Sequence, residues 1–153
     1  IIITETNHGF ICANAGIDSS NIPGEDNVCL LPSQPNESAR RIRDAIIKST
    51  EVNHIAVIIS DTFGRPWREG HLNFAIGTAG IEPLQDYRDT VDAVGKIMRV
   101  TMTATVDIVA AAADLVSGKA TNTPVSIVRG LNYEPSGKGM EGLLRTAEKD
   151  MFR

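Results

Sequence analysis

The chain has 153 residues, a length that suits one domain with its own hydrophobic core. Its hydrophobic fraction of 42% and charged fraction of 22% are ordinary for a globular protein and exclude a fibrous repeat or a disordered tract. The net charge of -4 argues against general nucleic-acid binding, and no apolar run approaches the roughly 20 residues of a membrane span. We therefore expect a cytoplasmic protein without nucleic-acid or membrane partners.

The first part of the chain is expected to form two short strands. Residues 8–15 and 28–31 are apolar runs, and the segment 23–27 between them has the glycine, proline and acidic residues of a turn. Cys12 and Cys29 lie in these runs without a CxxC pair. We expect buried, reduced thiols and neither a disulfide nor a metal site.

A helix is expected next, over residues 37–50, where small and apolar residues recur at helical spacing. Ser33 or Asn36 can cap it. The helix leads to the β-branched run 54–60, which is typical of a strand buried on both faces. If this strand is parallel to an earlier one, the connection through the helix is right-handed.

The second half is expected to contain a loop, two helices and a strand. Residues 64–80 are marked by glycines and predict a long loop, of the kind that is usually functional or disordered. A helix is expected over 103–116, ended by Gly118 in a left-handed cap. Residues 124–130 predict a short buried strand, and 140–152 predict a terminal amphipathic helix. The fold class is therefore α/β or α+β, with a mixed sheet flanked by helices.

An abrupt change from apolar to polar residues follows the strand expected before residue 61. Asp61 and Thr62 come first, and Arg65 and Arg68 follow shortly afterwards. Ligands of α/β proteins bind beyond the carboxyl ends of such strands, so Asp61 and Thr62 are expected to face a crevice. Asp61 and Thr62 could equally cap a helix. Arg65 and Arg68 could equally be surface charges that pair with Glu69.

A second polar cluster follows the first expected strand, in the run Asp18-Ser19-Ser20-Asn21. It offers a carboxylate, two hydroxyls and a carboxamide, the oxygen donors that Mg²⁺ and Mn²⁺ prefer beside substrate phosphates. Asp18 and Asp61 together therefore suggest a metal-phosphate site. An Asx turn or a helix cap before Pro23 is the alternative, and composition alone favours it.

Other site types are not supported by the sequence. It contains no GxxxxGK[ST] loop and no GxSxG elbow. His8, His54 and His71 do not share a metal-ligand spacing, which argues against a zinc site. A nucleotide, if it binds, is held by something other than a Walker loop.

Long motifs in one order resemble the coenzyme F-420:L-glutamate ligase family, over nearly the whole chain. The matching segments are residues 7–21 (NHGFICANAGIDSSN), 30–32, 38–42, 60–68 (SDTFGRPWR), 75–77, 80–81, 86–88 and 124–130.

The resemblance implies a GTP-dependent ligase that adds L-glutamate to a deazaflavin precursor through γ-linked amide bonds. The precursor's terminal carboxylate would be activated as an acyl phosphate, which the amine of glutamate then attacks. The implied cofactors are two divalent cations, Mg²⁺ or Mn²⁺, with room for a monovalent cation. The implied partners are small-molecule substrates and a second copy of the chain, because family members form an intertwined dimer.

The resemblance also implies roles for single residues. Asp18 and Asp61 would hold one metal ion, and Thr62 would hold the other. Asn21 would contact the guanine nucleotide. These roles agree with the chemistry of phosphoryl transfer, which depends on positioning and on neutralisation of charge.

Two further groups of residues complete the expected site. Ser117-Gly118-Lys119 corresponds to a nucleotide-binding segment, in which some family members supply an oxygen to the second metal. Lys119 cannot ligate a cation while protonated, but it could hold a phosphate as a point charge. We add Arg65 and Arg68 as candidate catalytic ligands of a phosphate or a substrate carboxylate.

The family pattern suggests that residues 1–153 are a gamma-glutamyl ligase domain without its amino-terminal portion, in a two-domain fold, and that this chain is inactive alone. Residues 133–153 are expected to form a carboxyl-terminal helix or a linker, and they resemble the stretch before a flavin-dependent reductase domain in bifunctional members. Two alternatives are a metal-dependent phosphatase with the same oxygen ligands and a nucleotide-binding fragment without ligase activity.

Overall fold

The computed structural model describes residues 2–151, which form six strands and two α-helices. In chain order these elements are β1 (Ile3–Glu5), β2 (Ile11–Ala13), α1 (Pro35–Ser49), β3 (Val57–Arg65), β4 (Arg68–Ala79), β5 (Leu84–Asp86), β6 (Met102–Ala104) and α2 (Thr105–Ser117). Short 3-10 helices cover Asn14–Gly16 and Ala147–Lys149. The helices predicted over residues 37–50 and 103–116 are confirmed, with ends shifted by one or two residues.

The strands pair as three antiparallel two-stranded sheets, β1 with β2, β3 with β4, and β5 with β6. This confirms an α+β protein. A parallel strand-helix-strand unit is not found in residues 2–151, because the strand after α1 pairs with the next strand along the chain. The strand expected at 28–31 is reduced to a single bridge from Cys29 to Asp18.

The long β3–β4 hairpin replaces the loop expected at residues 64–80. β4 pairs with β3 over most of its length, and only Pro66 and Trp67 separate the two strands. The first residues of β4 are exposed and its last residues are buried. The loop prediction was wrong because the exposed part of the strand is rich in polar residues and glycine, which hides the strand pattern. β3 is only half-buried, in contrast to the expected strand covered on both faces.

A β-bulge in the hairpin lies next to the point where α2 is attached to β4. The pairing passes from Ile59 with Gly77 to Ser60 with Ala75, so that one residue of β4 is left without an opposite partner. The N–H of Ala75 instead donates to Oδ1 of Asp107 in the first turn of α2, at 3.0 Å. Burial raises the pKa of the Asp107 carboxyl, and the bond from Ala75 acts in the opposite direction.

The N-terminus of α1 packs directly on the last residues of β4. Oδ1 of Asn36 accepts a hydrogen bond from the N–H of Thr78 at 3.0 Å. Since α1 begins at Pro35 after Gln34 and has no side-chain cap, neither Asn36 nor Ser33 caps it. A Cβ at Gly77 would lie 2.4 Å from the carbonyl carbon of Pro35, so only glycine allows this approach.

A small core lies where the hairpin, the start of α2 and the segment around residue 140 meet. Its buried members are Ala75, Ile81, Val106 and Met140. Partly buried side chains pack against them, namely those of Ala56, Ile58, Tyr133 and Leu143. Removing this much apolar surface from water is the main favourable contribution to folding here.

Two predicted elements in the last third of the chain are wrong. Residues 124–130 form no strand, and Val125 and Ile127 are each 74% exposed. Their β-branched residues produced a strand pattern, but no neighbouring strand in residues 2–151 pairs with them. Residues 140–151 form turns and one short 3-10 helix where an amphipathic helix was expected. The end of that expected helix, at Phe152, lies outside the described residues.

The structure also tests the predictions for the end of α2, for the two cysteines and for membrane-spanning helices. Gly118 ends α2 with φ 64 and ψ 177, so φ is positive as expected while ψ is extended and not left-handed helical. Cys12 and Cys29 are both free, as expected, but only Cys12 is buried. Within residues 2–151, none of the helices has the length and apolar character to cross a membrane.

We expect Gly77→Ala to lower the free energy of unfolding by about 1–3 kcal/mol, the usual cost of overpacking. The added methyl group must displace the backbone of Pro35, which has little freedom at the start of a helix. Chemical denaturation measures the change. Gly137→Ala is the matched control, because a Cβ there meets nothing within 4 Å and its φ is ordinary. Equal losses in the two variants would contradict the packing argument.

A second prediction concerns Asp107. Its folded pKa is raised above the usual 3.8, so the charged form opposes folding. This opposition is absent below the unfolded pKa and becomes complete as pH rises through the folded pKa. We expect Asp107→Asn, which keeps an oxygen acceptor for Ala75, to melt higher than the wild type near neutral pH and equally at acid pH.

The matched variant Asp107→Ala leaves the N–H of Ala75 without its acceptor and should lose about 1–3 kcal/mol of stability. Thermal denaturation of the three proteins across the acid and neutral range measures both effects. A gap between wild type and Asp107→Asn that stays constant with pH would contradict the role given to burial.

Candidate functional site

Four separate segments bring polar side chains together beside the hairpin. They are the loop from residue 14 to 21, the middle of β3 and β4, the last turn of α2, and the turn that follows α2. The cluster consists of Asp18, Asn21, Asp61, Thr62, Asn73, Asp114 and Lys119. We call this set the polar cluster.

Asp18 is held by a local turn and by a bridge to a distant segment. Its backbone exchanges two hydrogen bonds with Cys29, at 3.2 and 2.7 Å. Its carboxylate accepts bonds from the backbone N–H and from Oγ of Ser20, at 2.8 and 2.5 Å. The bond from the Ser20 hydroxyl is the main reason that the pKa of Asp18 is lowered. The Asx-turn alternative is therefore correct as geometry, and it leaves the exposed carboxylate accessible to a ligand.

Asp61 lies within β3, opposite Phe74, and not beyond the end of a strand. The alternative that it caps a helix is wrong for the same reason. Burial is the largest cause that raises the pKa of its half-buried carboxyl, and the negative charge of Asp18 adds to it. Lys119 and the Thr62 N–H act in the opposite direction. The carboxylates of Asp18 and Asp61 are thus close enough to interact electrostatically, and burial is the main cause of the raised pKa of Asp61.

The thiol of Cys12 lies on the same side of the hairpin. Burial raises its pKa, and the charge of Asp61 raises it further, whereas a bond with the Gly16 backbone lowers it. A raised pKa keeps sulfur protonated near neutral pH, so Cys12 is a structural side chain and not a reactive nucleophile.

Thr62 forms a hydrogen-bonded group with two residues that sequence reasoning missed or left unconnected. Its Oγ1 donates to Oδ1 of Asn73, its cross-strand partner, at 2.8 Å. Nζ of Lys119 donates to Thr62 Oγ1 at 3.0 Å and to Asn73 Oδ1 at 3.3 Å, and it forms an ion pair with Asp114 at 3.1 Å. Asn73 was overlooked because it fell in the expected loop. Asp114 could have been found from its position, because it lies in the last turn of the helix that leads to Lys119.

Asn21 connects two loops that are 98 residues apart. Its Nδ2 donates to the backbone oxygen of Lys119 at 3.2 Å, while its own φ of 56 lies in the left-handed region. Ser117 is used within its own neighbourhood, since its Oγ bonds to the Ala113 oxygen at 3.0 Å and to Ser126 Oγ at 2.7 Å. Asn21 and Lys119 thus join the cluster, and the Ser117 hydroxyl does not.

Arg65 and Arg68 face each other at the tip of the hairpin, outside the polar cluster. Arg65 lies four residues beyond Asp61, which is about 13 Å along an extended strand. Nη2 of Arg65 donates to the backbone oxygen of Glu69 at 2.9 Å. Trp67 between the arginines is 81% exposed. The tip forms an open, shallow concave surface lined by residues 64–71.

The donor set fits one divalent cation that is shared with a phosphate ligand. Among residues 2–151, no three His, Cys, Asp or Glu side chains are placed to hold a metal ion by themselves. Asp18 and Asp61 supply two carboxylates, and Mg²⁺ commonly takes one or two, with water and phosphate oxygens completing its octahedron. Burial is the main cause that raises the pKa of Asp61, and a cation between the two carboxylates would offset the smaller contribution from the charge of Asp18.

Glycines at positions 137, 139 and 142 have the GxGxxG spacing of dinucleotide-binding loops. In the structure they follow no strand and open no helix. A Cβ at Gly139 would meet the Asn36 side chain at 2.6 Å, so this glycine serves the docking of α1. The spacing therefore gives no support for a nucleotide site here.

Comparison with known proteins agrees with the sequence motifs. The family model described as F420-0:Gamma-glutamyl ligase matches residues 1–130. The chain belongs to this family. The Asp18 and Asp61 segments of the polar cluster, like Lys119, all fall within the matched range.

Three curated relatives are named coenzyme F420:L-glutamate ligase. The protein of Methanocaldococcus jannaschii is 45% identical over 154 residues, that of Methanothermobacter thermautotrophicus 44% over 156 residues, and that of Haloarcula marismortui 42% over 153 residues. Each alignment covers 99% of this chain and, respectively, 60%, 61% and 58% of the relative. The chain thus spans about 60% of the length of these relatives.

Proposed function

We propose that the protein is a GTP-dependent ligase that joins L-glutamate to the coenzyme F-420 precursor by γ-linked amide bonds. One observation carries this proposal: Asp18 and Asp61, from segments far apart in sequence, bring their carboxylates close enough that the charge of Asp18 adds to the burial that raises the pKa of Asp61. The names of the relatives support the choice of substrates. The γ-phosphoryl group of GTP would pass to the terminal carboxylate of the precursor, with loss of GDP. The glutamate amine would then attack the acyl carbon and expel phosphate.

The triphosphate of GTP, the carboxylate of the precursor and the acyl phosphate are all anionic, so this reaction requires positive charge. A bound Mg²⁺ or Mn²⁺ ion would neutralise phosphate oxygens and hold them in line for transfer. Asp18 and Asp61 are its proposed ligands from this chain. The position of Asp61 within a paired strand keeps its carboxylate fixed, and the Ser20 bonds do the same for Asp18.

The remaining predicted residues have proposed roles around this ion. Asn21 fixes the turn that contains Lys119 and stands where a nucleotide could contact it. The side chain of Lys119 is 61% exposed, and its ammonium is bonded to Thr62 and lowers the pKa of Asp61 by its charge. Arg65 and Arg68, about 13 Å away along the strand, are placed to bind a carboxylate or phosphate elsewhere on an extended substrate and not at the transferred phosphoryl group.

A homodimer in the cytoplasm also remains a proposal. The apolar side chains of Val125 and Ile127 project from an extended segment that pairs with no strand in residues 2–151. Exposed apolar side chains in such a segment suit a protein-protein contact. The two-domain fold and a monovalent cation remain proposals that rest on the family alone.

The activity is tested with the purified full-length protein, GTP, Mn²⁺, the deazaflavin precursor and L-glutamate. We expect GDP release that requires both the precursor and glutamate, and a mass gain of one glutamyl residue or a multiple of it on the precursor. Mass spectrometry and nucleotide chromatography measure the two products. Release of GDP and phosphate from GTP alone, with no glutamylated product, would point to a metal-dependent phosphatase and overturn the proposal.

The role of Asp61 is tested with Asp61→Asn. The two side chains have nearly the same shape, so the variant should fold, but it lacks one of two metal-binding charges. We expect its affinity for a GTP analogue in the presence of Mn²⁺ to fall at least about 10-fold, as changes around metal sites usually cause. Fluorescence titration with and without Mn²⁺ measures this.

Asp86→Asn is the control for that experiment, because Asp86 pairs with Arg88 outside the polar cluster. It should bind the analogue like the wild type. Circular dichroism of all three proteins verifies their folding. If Asp61→Asn is folded and binds the analogue with unchanged metal dependence, Asp61 is not a metal ligand.

A further inference from the structure

The ammonium of Lys119 lies among three oxygen atoms that come from three different elements. Its Nζ is 3.0 Å from Oγ1 of Thr62 on β3, 3.3 Å from Oδ1 of Asn73 on β4 and 3.1 Å from Oδ1 of Asp114 on α2. A protonated lysine has three N–H donors and no acceptor. The number of oxygens therefore matches the number of donors.

The chemistry of these oxygens is that of a cation site. A hydroxyl, a carboxamide and a carboxylate are the ligands that hard cations such as Mg²⁺ and Mn²⁺ take in proteins. The distances from the three oxygens to the position of Nζ, however, suit an ammonium ion and not a metal ion. Hydrogen bonds from nitrogen to oxygen are about 2.7–3.2 Å long, whereas Mg²⁺ binds its oxygens at about 2.0–2.1 Å. The three oxygens lie roughly 1 Å too far from the centre for Mg²⁺ and at the right distance for an ammonium.

Lys119 is held in this position by its backbone as well as by its side chain. Its carbonyl oxygen accepts the bond from Asn21, and the preceding Gly118 has the positive φ that turns the chain out of α2. Thr121 fastens the other side of the turn through a hydrogen bond to the backbone oxygen of Ser117. Although its side chain is 61% exposed, Lys119 is held by hydrogen bonds at its backbone oxygen and at its ammonium, unlike an ordinary surface lysine.

We infer that the ammonium of Lys119 takes the place of a second divalent cation, so that this site binds one metal ion per chain. The inference rests on the proposed function. The single ion lies on the Asp18 and Asp61 side, and Lys119 provides a fixed positive charge on the Thr62 side. Thr62 then positions Lys119 and is not a metal ligand, which departs from the role implied by the resemblance to the family.

The test counts Mn²⁺ ions bound with a non-hydrolysable GTP analogue, by calorimetry and by electron paramagnetic resonance. The wild type should bind one ion and show the spectrum of an isolated Mn²⁺. In Lys119→Gln an oxygen donor replaces the ammonium beside Thr62, Asn73 and Asp114. We expect this variant to bind a second, weaker ion and to show dipolar coupling between neighbouring Mn²⁺ ions.

Two control variants separate charge from donor chemistry. Lys119→Met removes the ammonium without adding an oxygen, and it should bind one ion with a lower affinity for the nucleotide analogue. Lys48→Gln removes an exposed lysine near the end of α1 and should behave as the wild type. Circular dichroism shows whether each variant is folded.

Two ions in the wild type would overturn the inference even if no variant folded, and would leave the ligase activity untouched. One ion in both the wild type and a folded Lys119→Gln would also overturn it, because Lys119 would not be what excludes the second ion. A wild type that binds no Mn²⁺ would overturn it as well. Conversely, one bound ion without glutamate transfer would contradict the proposed function and leave the cation inference standing.

Discussion

The antiparallel pairing of β3 with β4 is the constraint on which the rest of the structure depends. The buried part of β4 gives α1 its docking surface through the Asn36 bond to Thr78 and the absence of a side chain at Gly77. Next to the bulge in the same hairpin, the N–H of Ala75 donates to Asp107 and thereby fixes α2. Because both helices are attached to one hairpin, the ends of α1 and α2 have defined positions relative to its middle.

The same hairpin sets the electrostatics of the polar cluster. It holds Asp61 half-buried and facing Asp18, an arrangement that disfavours the charged form of Asp61 in the folded protein. Lys119 offsets this only in part, since its ammonium is already bonded to three other oxygens. Strain of this kind is common at binding sites, because groups arranged for a charged ligand repel one another without it. The polar cluster is therefore not arranged for maximal stability, because it holds Asp61 half-buried near the charge of Asp18.

The helices and the two acidic segments could be predicted because their signals are local. The spacing of Ala39 and its apolar neighbours predicts α1 without knowledge of what covers it. Asp18 and Asp61 stand out because each follows an apolar run directly. The hairpin was missed because residues 68–71 are exposed and polar, and a strand pattern appears only where one face is buried. The strand predicted at residues 124–130 was wrong for the opposite reason. The strand pattern is present in the local sequence, but a strand also needs a neighbouring strand to pair with, and local composition does not specify one.

By itself, the sequence determined the family, a fold that combines helices with strands, and the candidate residue types for the proposed metal-phosphate site. These follow from the order of motifs and from side-chain chemistry, neither of which depends on distant contacts. Only the tertiary structure decided which of the candidates meet. It joined Asn73 and Asp114 to Lys119, kept Arg65 and Arg68 at the hairpin tip, and turned the Ser117 hydroxyl towards Ser126. The physical reason is that such contacts join residues up to 98 positions apart. They form only when the strands pair in the right register and the helices dock on the hairpin, and both depend on the whole fold.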